Sequence, residues 1–350
     1  MRLTVVLAAA GLTAGAVAAS AQDAPRRLVA REVVRTERAG AYQGRDRGQQ
    51  QTERFTRRVR LGRDGRVTIQ NISGDIVVTA GSGDEVSIEA VKRARDQSRL
   101  ADVRVIVDER PGRVDVRTEY EQFRGDRDRG GSVSVDYTVV VPAGASVELK
   151  SISGSVKATG VRGAVRAESV SGDVVTSDTP NVETAKTISG DVTIDGITTE
   201  GNLSIGSVSG TVRARNVKAR GLDLGSVSGD VTLTDVACDR LSAKSVSGGF
   251  EYTGSLARGG VYDVNVHSGT VRFVLANPAG FELTANTFSG SIRSDLPLTV
   301  GGSSSSSSAS SDRDGRRRGV SSRSLRGTFG DGSATLTLRT FSGDIVIARR

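Results

Sequence analysis

Ser169-Val170-Ser171-Gly172-Asp173 is one of ten similar segments in this chain. In each copy a Ser-Gly or near-identical pair follows an apolar or aromatic residue, and β-forming residues come next. The ten glycines are Gly74, Gly154, Gly172, Gly190, Gly210, Gly229, Gly248, Gly269, Gly290 and Gly343. From Gly154 to Gly290 the interval between successive glycines is nearly constant. A fixed period near 20 in a strand-forming sequence predicts an all-β fold, a parallel β-solenoid resembling a β-helix, with one coil of 18–21 residues per copy.

The motif itself is predicted to form the corner of each coil. Glycine allows a backbone turn with positive φ, and it lets successive coils approach closely. Val170 and Val174 are expected to point into the core together with Val165 and Ala167, which requires a corner between the two pairs. The flanking Ser and Thr side chains can hydrogen-bond the turn backbone. Folding alone therefore accounts for the motif.

Residues 1–21 have the pattern of a secretory signal peptide. Arg2 precedes an apolar run, and Ala19-Ser20-Ala21 forms a cleavage site before Gln22. We expect the mature chain to be exported to the periplasm or the cell surface and to lack a membrane span. A membrane anchor is the alternative, but the segment is rich in alanine and glycine and ends in a cleavage site.

Residues 22–61 are predicted to be a disordered basic leader. Residues 26–66 contain 13 Arg and 5 acidic residues, and residues 301–326 contain 6 Arg and 2 Asp. The basic charge therefore lies in two irregular segments, +8 in the first and +4 in the second, and the rest of the chain is net acidic, which argues against nucleic acid as a partner. An anionic envelope polymer or a protein is the expected partner, although a solvated segment without any partner is the simpler interpretation.

The remaining residues, 62–350, are predicted to form a single solenoid domain. Alternating stretches before residue 142 indicate a few additional strands, and regular coils begin at about residue 147. Residues 301–324 include a run of six Ser and the cluster Arg316-Arg317-Arg318, so we expect a disordered Ser/Arg-rich insertion between coils.

Asp173 and Asp191 are the only weak candidates for metal ligands. They occupy the position after glycine on consecutive coils, but Ser, Thr or Gly replaces Asp there in half of the copies. A calcium-binding β-roll would instead show a nine-residue glycine and aspartate repeat. We therefore predict that these side chains cap turns, and we expect neither a metal nor a cofactor.

No catalytic residue is predicted. His267 is the sole histidine and precedes Ser268, but every copy has Ser there and no nucleophile motif accompanies the pair. Cys238 is the sole cysteine and is expected to be a buried apolar residue that forms no disulfide. Arg124-Gly125-Asp126 matches an integrin-binding tripeptide, which we attribute to chance in a segment of Arg, Gly and Asp.

The aromatic side chains after residue 240 are expected to fill a wider core or to cap the end of the solenoid. A binding patch is the alternative. The residues are Phe250, Tyr252, Tyr262, Phe273, Phe281 and Phe288.

The order of parts resembles the bacterial DUF4097 family. Ser73 to Ile76 comes first, then charged strands, then Tyr137-Thr138-Val139-Val140-Val141-Pro142, and then the Ser-Gly-Asp-Val coils. The resemblance covers residues 62 to 350 and implies a β-solenoid adhesin domain of the cell envelope without established catalytic residues. The Ser/Arg-rich insertion departs from that pattern.

We therefore expect an exported, non-enzymatic envelope protein with an adhesin-like or scaffold role. A carbohydrate-active enzyme on the same scaffold is an alternative, and it would need carboxylates or arginines that converge in a cleft. A sensory or envelope-stress component is a further alternative.

Overall fold

The computed structural model describes residues 50–120, 133–276, 278, 280–299 and 323–350. These residues form an all-β unit with one short helix. The first elements are β1 (Gln51–Arg60), β2 (Arg66–Ser73), β3 (Ile76–Gly81), β4 (Glu85–Ala94), α1 (Gln97–Leu100), β5 (Val103–Arg110), β6 (Arg113–Tyr120) and β7 (Ser134–Pro142). The central strands are β8 (Ser146–Ser153), β9 (Val156–Thr159), β10 (Val165–Ser171), β11 (Val174–Ser177), β12 (Val182–Ser189), β13 (Val192–Thr198), β14 (Asn202–Ser209), β15 (Val212–Ser228), β16 (Val231–Ser247) and β17 (Phe250–Ser268). The last strands are β18 (Val271–Leu275), β19 (Gly280–Ser289), β20 (Ile292–Ser294), β21 (Arg323–Gly330), β22 (Ala334–Ser342) and β23 (Ile345–Arg349).

Neighbouring copies of the motif lie one above the other in a mostly parallel sheet. Ser171 of β10 is paired in register with Ser153 of β8 on one side and with Ser189 of β12 on the other. The Gly172 N–H donates to the Ser189 carbonyl at 2.8 Å, and this bond recurs from copy to copy. The parallel, in-register ladder is consistent with the predicted β-solenoid.

Glycine is required at the corner for two reasons, which Gly172 illustrates. Its φ of +145° lies where residues with a side chain are strained. A Cβ placed there would lie 2.3 Å from the Gly154 carbonyl oxygen of the adjacent copy. The corner therefore excludes every other residue both by conformation and by space.

The first copy stacks directly on the second, although the two are far apart in the sequence. Ser73 is paired with Ser153, and the Gly74 N–H donates to the Ser153 carbonyl at 2.8 Å. The residues between them form the end of the stack. There β6 and β7 continue the parallel order, and β5, β4 and β1 are added antiparallel. Antiparallel strands at a solenoid end are a means of covering an exposed sheet edge.

The order of copies in space differs from their order in sequence at the other end. Ser342 of β22 is paired with Ser268 of β17 and also with Ser289 of β19. The last copy of the motif therefore lies between the two copies that precede it in the chain. Strand β21 then pairs antiparallel with β19 and covers this end of the stack.

Two boundaries of the predicted irregular segments are wrong. Gln51–Arg60, placed in the basic leader, forms β1 and pairs with β4 along all of its ten residues. Phe55 and Val59 of this strand pack against the core, and the backbone ladder does not require further apolar side chains. Arg323 and Ser324, placed in the insertion, belong to β21. Leu61, also placed in the leader, is buried. Residues 22–49 of the leader and 301–322 of the insertion lie outside the described residues, as do the predicted signal peptide and Arg124-Gly125-Asp126.

The core is one continuous column of buried side chains. These side chains are small or branched in the first part of the stack and become larger near the C-terminal end. Val and Ala predominate in the first coils, and large aromatic side chains fill the later ones. The fully buried aromatic residues of that part are Phe250, Tyr252, Tyr262, Phe273 and Phe281. The prediction that these side chains fill the core is confirmed for these five and is wrong for Phe288, which is 39% exposed.

Candidate functional site

The second residue of each motif copy points to solvent and not into the core. In β10, Ala167 and Ser169 are buried, whereas Val170 is 44% exposed. The turn at Gly172 then changes the alternation, so that Val174 is buried. The prediction is therefore correct for Val174 and wrong for Val170.

The hydroxyl group of the first motif residue explains this orientation. The corner leaves glycine carbonyl groups inside the stack, and a buried acceptor without a donor is costly. The Ser169 hydroxyl donates to the Gly154 carbonyl at 3.0 Å, and the Thr187 hydroxyl donates to the Gly172 carbonyl at 2.8 Å. In these copies the hydroxyl occupies the inward position and the apolar neighbour points outward, and the buried Val266 keeps the same orientation in the eighth copy without a hydroxyl.

The outward residues form one row, which we call the outer stripe. Its members follow the stack, so that each lies beside the equivalent residue of the next copy. They are Ile72, Ile152, Val170, Ile188, Val208, Val227, Val246, His267, Phe341 and Phe288. The nine apolar members are between 39% and 52% exposed. Within the described residues only two other large hydrophobic side chains, Val140 and Val261, are exposed to a similar degree.

Three stacked rings end the outer stripe. His267 and Phe341 stack with their centroids 5.0 Å apart, and Phe341 and Phe288 stack at 4.6 Å. Each ring therefore uses a face to contact its neighbour, whereas sugar recognition needs a ring face turned to the ligand. These rings favour packing along the stripe over a platform for a sugar. His267 thus belongs to the stripe, with Ser268 as the next motif residue.

A shallow groove runs beside the first half of the outer stripe. Its volume is about 730 Å³, and it extends from Ile72 to Val208. A second groove of about 520 Å³ continues from Val208 past Val227. The two share Lys186 in their lining, so a concave apolar surface follows most of the stripe.

Charged side chains of opposite sign flank the outer stripe. The position two residues before the stripe carries four cations and one acid, and we call it the basic row. Its charged members are Lys150, Glu168, Lys186, Lys244 and Arg339. The position three residues after the stripe carries five carboxylates, and we call it the aspartate row. Its charged members are Asp75, Asp173, Asp191, Asp230 and Asp344. The stripe is therefore apolar in the middle, basic on one side and acidic on the other.

Asp173 and Asp191, the weak metal candidates, cap the backbone of the following coil. Asp173 Oδ1 accepts a hydrogen bond from the Asp191 N–H at 2.8 Å, and Asp191 Oδ1 accepts one from the Thr211 N–H at 2.8 Å. Asp191 Oδ2 also pairs with Arg213 at 2.9 Å. The Thr211 N–H and Arg213 lower the pKa of Asp191 below its ordinary value. No cluster of three metal-binding side chains is found among the described residues.

Cys238 is buried beneath the C-terminal coils, as predicted. Burial, and to a smaller extent the negative charge of Asp239, raises the pKa of the thiol to about 12. A thiol with this pKa is a poor nucleophile at neutral pH. Cys238 is thus a packing residue.

A separate depression of about 520 Å³ brings charged side chains of neighbouring coils together. Glu200 and Asp239 provide carboxylates, and Arg220 and Arg240 provide guanidinium groups. These residues lie at a corner remote in sequence from the motif, where Gly221 begins the strand segment that ends at Ser228. The sequence carries no signal for these four residues, because they belong to no motif and the coils differ in length at this corner.

The comparisons with known proteins concern the fold. The sequence model of the family described as Toastrack DUF4097 matches residues 65–348. No curated protein matches the sequence. A Bacteroides fragilis structure described as a candidate adhesin is 11% identical, with a TM-score of 0.39, and covers 84% of this chain and 97% of its own. A candidate adhesin from Parabacteroides distasonis is 12% identical, with a TM-score of 0.34, and covers 85% and 97%. Neither likeness carries a conclusion about activity. No helix in the described part of the chain is long and apolar enough to cross a membrane.

Proposed function

The chain belongs to the Toastrack DUF4097 family, and we propose that it is an exported, non-enzymatic scaffold or adhesin-like protein of the bacterial envelope that associates through its outer stripe. We further propose that each interval between successive motif copies from Gly154 to Gly290 is one solenoid coil. The observation that carries the functional proposal is the exposure of nine apolar side chains in one row.

A row of this kind supports an association surface for a physical reason. Isolated exposed hydrophobic side chains are ordinary, but contiguous apolar patches of large size mark interaction sites. Each stripe residue lies beside its neighbours in the stack, so the exposed surface is continuous over ten copies. Folding requires only that the preceding residue fill the inward position, and a polar outward residue would satisfy the strand equally well. The retention of Val, Ile and Phe therefore indicates a use outside the fold.

Export is the second part of the proposal. It is supported by the signal-peptide pattern of residues 1–21, and it places the stripe in the envelope. Intact-mass measurement of the chain recovered from the periplasm should give a protein that begins at Gln22. Recovery of the uncleaved chain from the cytoplasm would contradict export.

The stripe is tested by the size of the native complex. We expect the chain in envelope extracts to migrate well above its monomer mass, and the triple variant Val170→Ser, Val208→Ser, Val227→Ser to migrate as a monomer. The matched control is Val140→Ser with Val261→Ser, which removes equally exposed valines outside the stripe. An unchanged size in the triple variant would contradict the proposal.

A carbohydrate-active enzyme is the second candidate, because the depression at Glu200 and Asp239 brings two carboxylates close to two arginines. Paired carboxylates can hydrolyse glycosidic bonds, and arginine binds uronates. The test is release of reducing ends from acidic and neutral polysaccharides, with Glu200→Gln and Asp239→Asn as the variants. Equal release by wild type and both variants, or none at all, would rule this candidate out.

A further inference from the structure

We infer that the outer stripe binds the outer stripe of a second copy of this chain, with the two stacks side by side, parallel and in register. This inference rests on the proposed function, because it names the partner of the same surface. It is drawn from the length of the stripe, the state of its backbone and the two charged rows beside it.

The shape of the outer stripe matches that of a second outer stripe. The stripe is one residue wide, and strand spacing makes its ten members span about 43 Å. An efficient partner must offer apolar groups over the same length at the same interval. A second copy supplies such a row, and Gly206 and Gly225 of the basic row allow close approach near its middle.

Side chains, and not the backbone, must hold a partner on the outer stripe. The strand segments that carry the stripe from Ile152 to Phe341 lie inside the ladder, with a neighbour on each side. Their backbone hydrogen bonds are made within the stack, so a peptide cannot join as an additional strand. Burial of the stripe against another apolar row is the remaining way to cover it.

Charge complementarity also favours a second copy as the partner. A two-fold axis parallel to the stack places the basic row of each copy over the aspartate row of the other. Lys186 then lies opposite Asp191 of the second copy, and Arg339 lies opposite Asp344. Glu168 opposite Asp173 is the one unfavourable pair.

The antiparallel arrangement and an anionic membrane fit less well. If the two stacks run in opposite directions with their basic rows overlapping, Lys186 faces Lys244 and Lys150 faces Arg339. An anionic bilayer laid on the stripe would meet the five carboxylates of the aspartate row. Only the parallel pair forms contacts of opposite sign between the rows, Lys186 with Asp191 and Arg339 with Asp344.

The first measurement is the molar mass of the purified chain without residues 1–21, by light scattering during gel filtration. We expect a dimer for the wild type and at least tenfold weaker dimerisation for the triple serine variant of the stripe. The paired variant at Val140 and Val261 should remain a dimer. Lys186→Glu with Arg339→Glu should also weaken the dimer about tenfold, whereas Lys157→Glu, in β9 outside both rows, should not.

The second measurement tests direction without weakening the stripe. Ile152→Cys in an otherwise unchanged chain should form a disulfide-linked dimer under mild oxidation, because parallel in-register copies place the two residues opposite each other. In the antiparallel arrangement they lie near opposite ends of the pair. The native Cys238 is buried, so it does not compete.

The inference is overturned by a monomer at high concentration, by a dimer that the stripe variants leave intact, or by a dimer without the Ile152→Cys cross-link. Stripe-dependent sedimentation of a monomer with anionic vesicles would identify a lipid surface as the partner and would also overturn it. If the purified chain is monomeric but its envelope complex still depends on the stripe, the proposed function stands and only the second copy is excluded.

Discussion

Gly210→Ala should be among the most damaging single substitutions in this chain. A Cβ at Gly210 would lie 1.9 Å from the Gly190 carbonyl oxygen, whereas such atoms are essentially never closer than 3.0 Å. The two coils must therefore separate by roughly 1 Å at this corner. In addition, the φ of +153° is strained for any residue that has a Cβ.

The two effects can be added. Separation lengthens the bond from the Gly190 N–H to the Ser209 carbonyl, now 3.1 Å, and the bond from the Val192 N–H to the Thr211 carbonyl, now 2.9 Å. Losing both costs about 2 kcal/mol, since each backbone bond contributes about 1 kcal/mol net. Backbone strain adds about 1–3 kcal/mol. The free energy of unfolding should therefore fall by about 3–5 kcal/mol.

Urea denaturation followed by circular dichroism measures this change. The matched control is Gly225→Ala in β15, where a Cβ would have no atom within 4 Å. That variant should be as stable as the wild type, or more stable by up to about 1 kcal/mol, because alanine reduces the freedom of the unfolded chain. Equal midpoints for the two variants would refute the argument from close approach.

Three further outcomes are expected. Thr187→Val should lower the free energy of unfolding by about 1–2 kcal/mol, because it removes a buried hydrogen bond. Thr176→Val should be neutral or stabilising, because the buried Thr176 hydroxyl has no partner. Equal losses of stability in the two variants would contradict this reasoning. The pKa of Asp191 is lower in the folded chain than in the unfolded chain, so its contribution to stability is full above the unfolded pKa and is lost as the pH falls through the folded value; Asp191→Asn should lack that contribution at pH 7 and should lose less stability on acidification in pH-dependent melting. With its thiol pKa raised to about 12, Cys238 should resist iodoacetamide at pH 8 until urea unfolds the chain, and rapid native labelling would show that the site opens.

The period of the motif was sufficient to predict an all-β, mostly parallel stack because one chemical constraint, the glycine corner, recurs in every copy. Gly172 cannot be replaced without a clash, so its spacing records where successive coils meet. The capping by Asp173 was predictable for the same reason, because the corner exposes one backbone N–H per coil to be bonded.

The candidate site was harder to predict because two requirements compete at the corner. Hydrophobicity alone favours Val170 inside and Ser169 outside, yet the glycine carbonyl needs the hydroxyl donor inside. The sequence does contain a usable signal. Ser169 and Ser171 lie on the opposite face of the strand from Val170, and only one face of a strand can point inward.

Backbone pairing explains the remaining differences. Nearly all side chains of β1 are polar, so its sequence resembles that of the disordered leader. Its ladder with β4, however, depends on N–H and C=O groups that the backbone supplies whatever the side chains are. The position of β22 between β17 and β19 could not be inferred either. All motif copies fit one another, so the sequence does not specify which of them become neighbours.

The placement of β22 and β23 has a consequence for how the molecule matures. The layer that they form separates β17 and β18 from β19 and β20, so β19 and β20 cannot reach their final positions until a later segment of the chain has arrived, whereas β17 can already pair with β16. A chain that ends before Ala334 would not simply be shorter. It would lack an interior layer and would expose two unpaired strand edges to proteases and chaperones. The fold is therefore complete only when this last region has been added.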